Sequence, residues 1–154
     1  MTDTPVKRRH SVHQTQWAAQ FAVASELCKH GYEVALTMGN HPKVDLMVIS
    51  PSGNRFSVDV KGLYKRNWWT VSPSVSGKEL YYVFAFVPPG RPNEFFIFSE
   101  DEVNAAIAAE SSAARLRAEA KGLVSKFDQF PGVSWSAAAA HEGEWRKLPD
   151  WSVN

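Results

Sequence analysis

The sequence predicts an α/β fold, a central mixed β-sheet of about five strands flanked by helices. Three observations carry that expectation: one amphipathic helical stretch near the start, three strand-like runs close behind it, and two more apolar runs before a capped helix. The order helix, three strands, loop, two strands, helix suits helices laid against a single sheet. A chain of 154 residues is long enough to bury a real core, and its 44% hydrophobic fraction is that of a globular domain.

The first element spans about 14–30. Stepping roughly 100° per residue from Trp17 puts Trp17, Phe21, Val23, Ala24, Leu27 and Cys28 on one broad face. Gly31 then stops the helix. The same wheel places Gln20 inside the apolar face and Glu26 nearly opposite. Strand-like runs follow at 32–36, 44–50 and 55–60, and Pro51-Ser52-Gly53-Asn54 between the last two is a hairpin turn signal. Leu46 and Val48, then Phe56, Val58 and Val60, supply apolar faces.

A polar, aromatic stretch holds a short strand near 68–71. The run 80–87 is the most apolar in the chain and reads as a central strand, broken by Pro88-Pro89-Gly90. Another strand lies at 94–98. Ser99 is a fitting N-cap, with Glu100, Asp101 and Glu102 where carboxylates suit the helix dipole. That helix should run to about residue 109, with an Ala-rich second helical segment at 110–122. The remainder, through Trp135, Trp145 and Trp151, reads as irregular and packed by its tryptophans. The expected organisation is a flexible basic lead-in at 1–13, a functional domain at 14–130 and a tail at 131–154 packed on it.

Composition excludes several classes. Net charge is +1, so any nucleic-acid partner must be met by local clusters rather than a global basic field. The single Cys28 leaves no internal disulfide and no thiolate zinc cluster, and the five histidines lack zinc-site spacing. No P-loop, dinucleotide fingerprint or G-x-S-x-G occurs, so no nucleotide cofactor and no serine-hydrolase triad is expected. No run of about 18 apolar residues suggests a membrane span, and the polar start lacks a secretory signal, so a cytoplasmic protein is expected.

Chemistry concentrates at the hairpin. Asp45 interrupts an apolar strand at its start, where an acid must be solvated, paired or bound to a metal. Asp59 breaks the next strand, and the period of two puts Lys61 on the same face. In register, the two carboxylates converge, which favours a hard oxygen-seeking cation such as Mg²⁺, with Mn²⁺ able to substitute. The backbone carbonyl of Val60 is positioned to complete the shell. A lysine beside such an ion can orient or deprotonate an attacking water, or stabilise charge on a phosphate. Alone, this pattern more often describes strand-end charges in a surface salt bridge, because acids near turns are common.

The surroundings add to it. A helix ending in Gly31-Tyr32, then VDLMVIS (44–50) and RFSVDVKG (55–62), resembles the PD-(D/E)XK nuclease superfamily, in its small Holliday-junction-resolvase-like branch. The likeness covers about residues 14–62, with looser support from YYVFAFV and EFFIFSEDEV. It implies a restriction-endonuclease-like core, Asp45 and Asp59 as metal ligands, Lys61 as the catalytic lysine, and a Mg²⁺-dependent DNA endonuclease working as a homodimer. The family usually adds a Glu from the first helix, and the matching position here is Gln20. The amide would touch the metal through a ligand or a water, and it lowers the negative charge of the site. That departure keeps open a second reading, a weak or inactive nuclease-fold module that binds DNA or a protein.

Directly after Lys61, Tyr64-Lys65-Arg66-Asn67-Trp68-Trp69 interleaves cations and aromatics, which can pair with phosphates and stack on bases. Lys65, Arg66, Trp68 and Trp69 are therefore candidate DNA contacts, with Lys78 a further one. The competing reading packs Trp68 and Trp69 in the core or a dimer interface. Lys7, Arg8 and Arg9 offer a basic arm over DNA.

Overall fold

The computed structural model describes residues 10–152. Lys7, Arg8 and Arg9 of the expected basic arm lie outside the described residues. In chain order the elements are α1 (Val12–Lys29), β1 (Glu33–Leu36), β2 (Leu46–Ile49), β3 (Arg55–Leu63), β4 (Trp69–Thr70), β5 (Leu80–Phe86), β6 (Glu94–Ser99), α2 (Glu100–Glu119), β7 (Gly132–Val133) and α3 (Trp135–Ala139). Single 3₁₀ turns occupy Phe127–Gln129 and Trp145–Lys147.

Five strands form one mixed sheet in the order β1-β2-β3-β5-β6. Every neighbouring pair is antiparallel except β3 and β5, which run parallel. The fold class is therefore α/β with a mixed central sheet, as the element order predicts. β4 and β7 make a separate antiparallel pair.

Alternation along the strands divides the interior in two. Phe56, Val58 and Val60 of β3, with Val83 and Ala85 of β5, pack under Ala19, Val23 and Leu27 of α1. Tyr82, Phe84 and Phe86 point the other way, against Phe96, Phe98, Trp69 and the α2 residues Val103 and Ile107. Both long helices begin in a capping box: Ser11 exchanges hydrogen bonds with Gln14, and Ser99 with Glu102. α1 crosses β3 at very close range. A Cβ on Gly62 would stand 2.8 Å from the Ala19 Cβ and 3.0 Å from the Thr15 carbonyl oxygen.

Three expectations are corrected. α1 begins at Val12, so residues 12 and 13 belong to the helix and not to the lead-in. Its buried stripe is Thr15, Ala19, Gln20, Val23, Ala24 and Leu27, while Phe21 and Cys28 are exposed. The face is turned about a quarter of a revolution from one centred on Trp17, because Trp17 and Phe21 stack on each other at 5.6 Å instead of entering the core. α2 is one continuous helix rather than two segments, since neither Gly nor Pro interrupts the chain between Glu100 and Gly122.

The chain after residue 130 is more ordered than expected. Leu148 is buried in the α1-side core. Tyr32 donates its hydroxyl to the Pro149 carbonyl, and Asp150 accepts hydrogen bonds from Ser50, Ser52 and Asn54 at the β2–β3 turn. Trp145 and Trp151 stack at 5.0 Å, and Trp151 covers His30 at 3.9 Å. Among the described residues, no helix is long and apolar enough to cross a membrane.

Candidate metal centre

The centre forms where β3 outruns its partner. β2 pairs with β3 only from Arg55 to Val58, so residues 59–63 keep a free edge on that side while β5 covers the other. Bare backbone groups in a partly buried edge need partners, and two side chains supply them. Asp45, just before β2, donates its own N–H to the Val58 carbonyl (3.0 Å) and accepts the Val60 N–H on Oδ2 (2.8 Å). Its carboxylate thus stands in the place of the next ladder bond. Gln16 of α1 donates from Nε2 to the Val60 carbonyl (2.7 Å), and its Oε1 accepts the Gly62 N–H (3.3 Å).

Gln20, one turn further along α1, donates from Nε2 to Asp45 Oδ1 at 3.2 Å. It is only 7% exposed. The sequence placed it on the buried side, and there it holds the carboxylate in position. Glu26 faces out and pairs with Lys29 at 2.9 Å.

Asp59 lies on the face away from α1, across the ladder from Tyr82. It is 2% exposed, with the Lys61 Nζ 2.7 Å from its Oδ1. That contact pairs the buried carboxylate with the ammonium. Burial pushes the Asp59 carboxyl up to about 6, with Lys61 pulling down against it, Asp45 adding a like charge, and Lys43 lowering it slightly. Burial also raises Asp45, opposed by the Val60 N–H and by Lys61.

Asp45, Asp59, Lys61 and Gln20 are therefore neighbours. The Val60 carbonyl is beside them but already accepts from Gln16, which leaves a metal only its second lone pair. Two residues escaped the sequence reading. Gln16 sits four residues before Gln20, the spacing that puts both amides in one helix stripe. Lys43, two residues before Asp45, adopts a left-handed backbone at φ +59° and brings its charge towards Asp59. Among the described residues, no three His, Cys, Asp or Glu side chains gather at one point. The donor set is two carboxylates with the neighbouring Val60 carbonyl oxygen, while Gln16 and Gln20 turn amide nitrogens towards it. Hard oxygen donors of this kind fit Mg²⁺ or Mn²⁺, and the buried Asp59 Oδ1 is held by the Lys61 ammonium at 2.7 Å.

The aromatic loop splits. Lys65 and Arg66 are exposed, Lys65 near the Tyr64 ring at 5.6 Å and Arg66 over Trp135 at 4.7 Å. Trp68 is half-buried, edge-on to Phe127. Trp69 does not serve as a DNA contact: it is 1% exposed and stacks on Phe84 at 5.0 Å, because β4 pairs with β7 and turns that ring inward. Lys78 lies two residues before β5, lining a groove with His41 and Lys43, at the opposite end of the β3–β5 pair from Lys65.

Comparisons of the chain with protein-family models, curated proteins and solved structures found no match. The class defined by fold and centre is an α/β protein with two acids and a lysine converging at a free strand edge.

Proposed function

We propose that the protein is a metal-dependent DNA endonuclease with a restriction-endonuclease-like core. The observation that carries this reading is the buried Asp59 carboxylate, paired with Lys61 at 2.7 Å, beside an Asp45 carboxylate already fixed in orientation. Two part-buried carboxylates beside a single paired lysine leave negative charge that a cation would offset. A divalent cation bound there would polarise a phosphodiester oxygen and lower the pKa of its water.

The chain's own residues have separable tasks. Asp45 and Asp59 hold the ion, and Gln20 and the Val60 N–H keep Asp45 from turning away. Lys61, one-third exposed, reaches the open side, where its ammonium orients water or a phosphate oxygen. Lys43, Lys65 and Lys78 supply phosphate contacts. Cutting both strands of a duplex needs two such sites, hence a homodimer.

The second reading, a nuclease-fold module that binds without cutting, is favoured by one observation: amides rather than acids touch Asp45 Oδ1 and the Val60 carbonyl. Nicking of supercoiled plasmid separates the two. The nuclease reading expects nicking in Mn²⁺ or Mg²⁺, none in EDTA, and loss of nicking in Asp59→Asn and Lys61→Ala with DNA binding kept. Equal nicking by Asp59→Asn would sink it, and metal-independent binding without nicking would select the module.

A further inference from the structure

Beside Lys61 the free edge of β3 opens into a cleft of about 860 Å³, between the first turn of α1 and the loop joining β3 to β4. Small-ligand clefts run to roughly 300–1,000 Å³, so this one is large enough for a nucleotide. Two half-buried rings, Tyr64 and Trp68, stand in its walls. Lys61 and Lys65 supply positive charge, and none of the described lining residues is acidic. The first turn of α1 carries no acid either.

Rings and cations lining one cleft free of acids match a nucleoside phosphate, the rings offering a stacking surface to the base and the ammonium groups a charge to the phosphate. The Tyr64 face already accepts a flat partner, since His10 stacks on it at 5.0 Å.

We propose that this cleft seats one unpaired nucleotide of the strand being cut, its base against Tyr64 and Trp68 and its phosphate towards Lys61 and Lys65. The inference rests on the nuclease reading and adds the substrate form: nucleic acid with an unstacked or single-stranded nucleotide next to the scissile bond. A base inside a continuous duplex is stacked on both faces and paired on its edge, so it would have to flip out to enter.

The test is fluorescence anisotropy of the full chain in EDTA, with a short labelled single strand, a blunt duplex of the same sequence, and free dAMP as competitor. The single strand should bind about tenfold tighter than the duplex, and Tyr64→Ala should remove about that factor while leaving duplex binding unchanged. Lys65→Gln, at an exposed position, should weaken single-strand binding even if Tyr64→Ala fails to fold. Equal affinity for duplex and single strand overturns the proposal, as does an unchanged affinity in both variants. Displacement by dAMP at oligonucleotide concentrations overturns the strand assignment. Because no metal is present, a protein that never nicks plasmid can still pass, and one that nicks can still fail.

Discussion

Asp59 is an acid whose surroundings favour its protonated form. Its folded value of about 6 lies above the ordinary 3.8, so between those values the folded state binds more protons than the unfolded one. Stability linked to this group therefore falls as pH rises through that window, and the full penalty stands above it. Asp59→Asn should stabilise the protein at pH 7.5, by on the order of 2–3 kcal/mol at most, and the gain should vanish near pH 4; urea unfolding at the two pH values measures it. Divalent binding should weaken as pH drops below about 6, where a proton competes for the same oxygen. Gln20→Glu tests the departure from the nuclease pattern. A third carboxylate should tighten Mn²⁺ binding and lower metal-free stability through like-charge repulsion, both readable by thermal melts with and without Mn²⁺. At this scale Asp45, Asp59, Lys61 and Gln20 were legible, because strand alternation and a helical wheel place them. Gln16 was not, since its task exists only because β3 outlasts β2, and the choice between a DNA contact and core packing for Trp69 stayed open because the strand that turns it inward lies far along the chain.

At the scale of elements, the register of α1 on β3 depends on one missing side chain. Gly62→Ala would drive a methyl into Ala19 and the Thr15 carbonyl, lifting the helix and with it Gln16 and Gln20. The expected loss is about 1–3 kcal/mol, as for overpacked cores, together with weaker metal binding; unfolding and Mn²⁺ titration of the variant check both. Removing the Ser99 cap should cost about 1 kcal/mol without touching the centre. Element types were readable from periodicity, and the hairpin from Pro51-Ser52-Gly53-Asn54. The rotation of α1 was not. Two adjacent aromatics on a helix look like core, and only the tertiary fit reveals that Trp17 and Phe21 pair with each other outside it.

At the scale of the whole molecule, the last segment closes the α1-side core and ties down the turn that follows β2. Leu148→Ala should cost about 2–5 kcal/mol, visible as a lower melting temperature, although it lies in a stretch whose sequence shows no helical or strand period. Its order comes from contacts with Tyr32, Ser50 and Ser52 roughly a hundred residues earlier, which no local pattern encodes. The same long reach builds the centre: a helix face, a strand start and a strand interior meet at one unpaired edge. The central claim is that this edge binds a divalent cation through Asp45 and Asp59. Calorimetric titration of Mn²⁺ into the protein at pH 7.5 tests it most directly. A saturable site in the wild type, abolished in Asp59→Asn while that variant remains folded, is the predicted result; no binding, or equal binding in the variant, would contradict it.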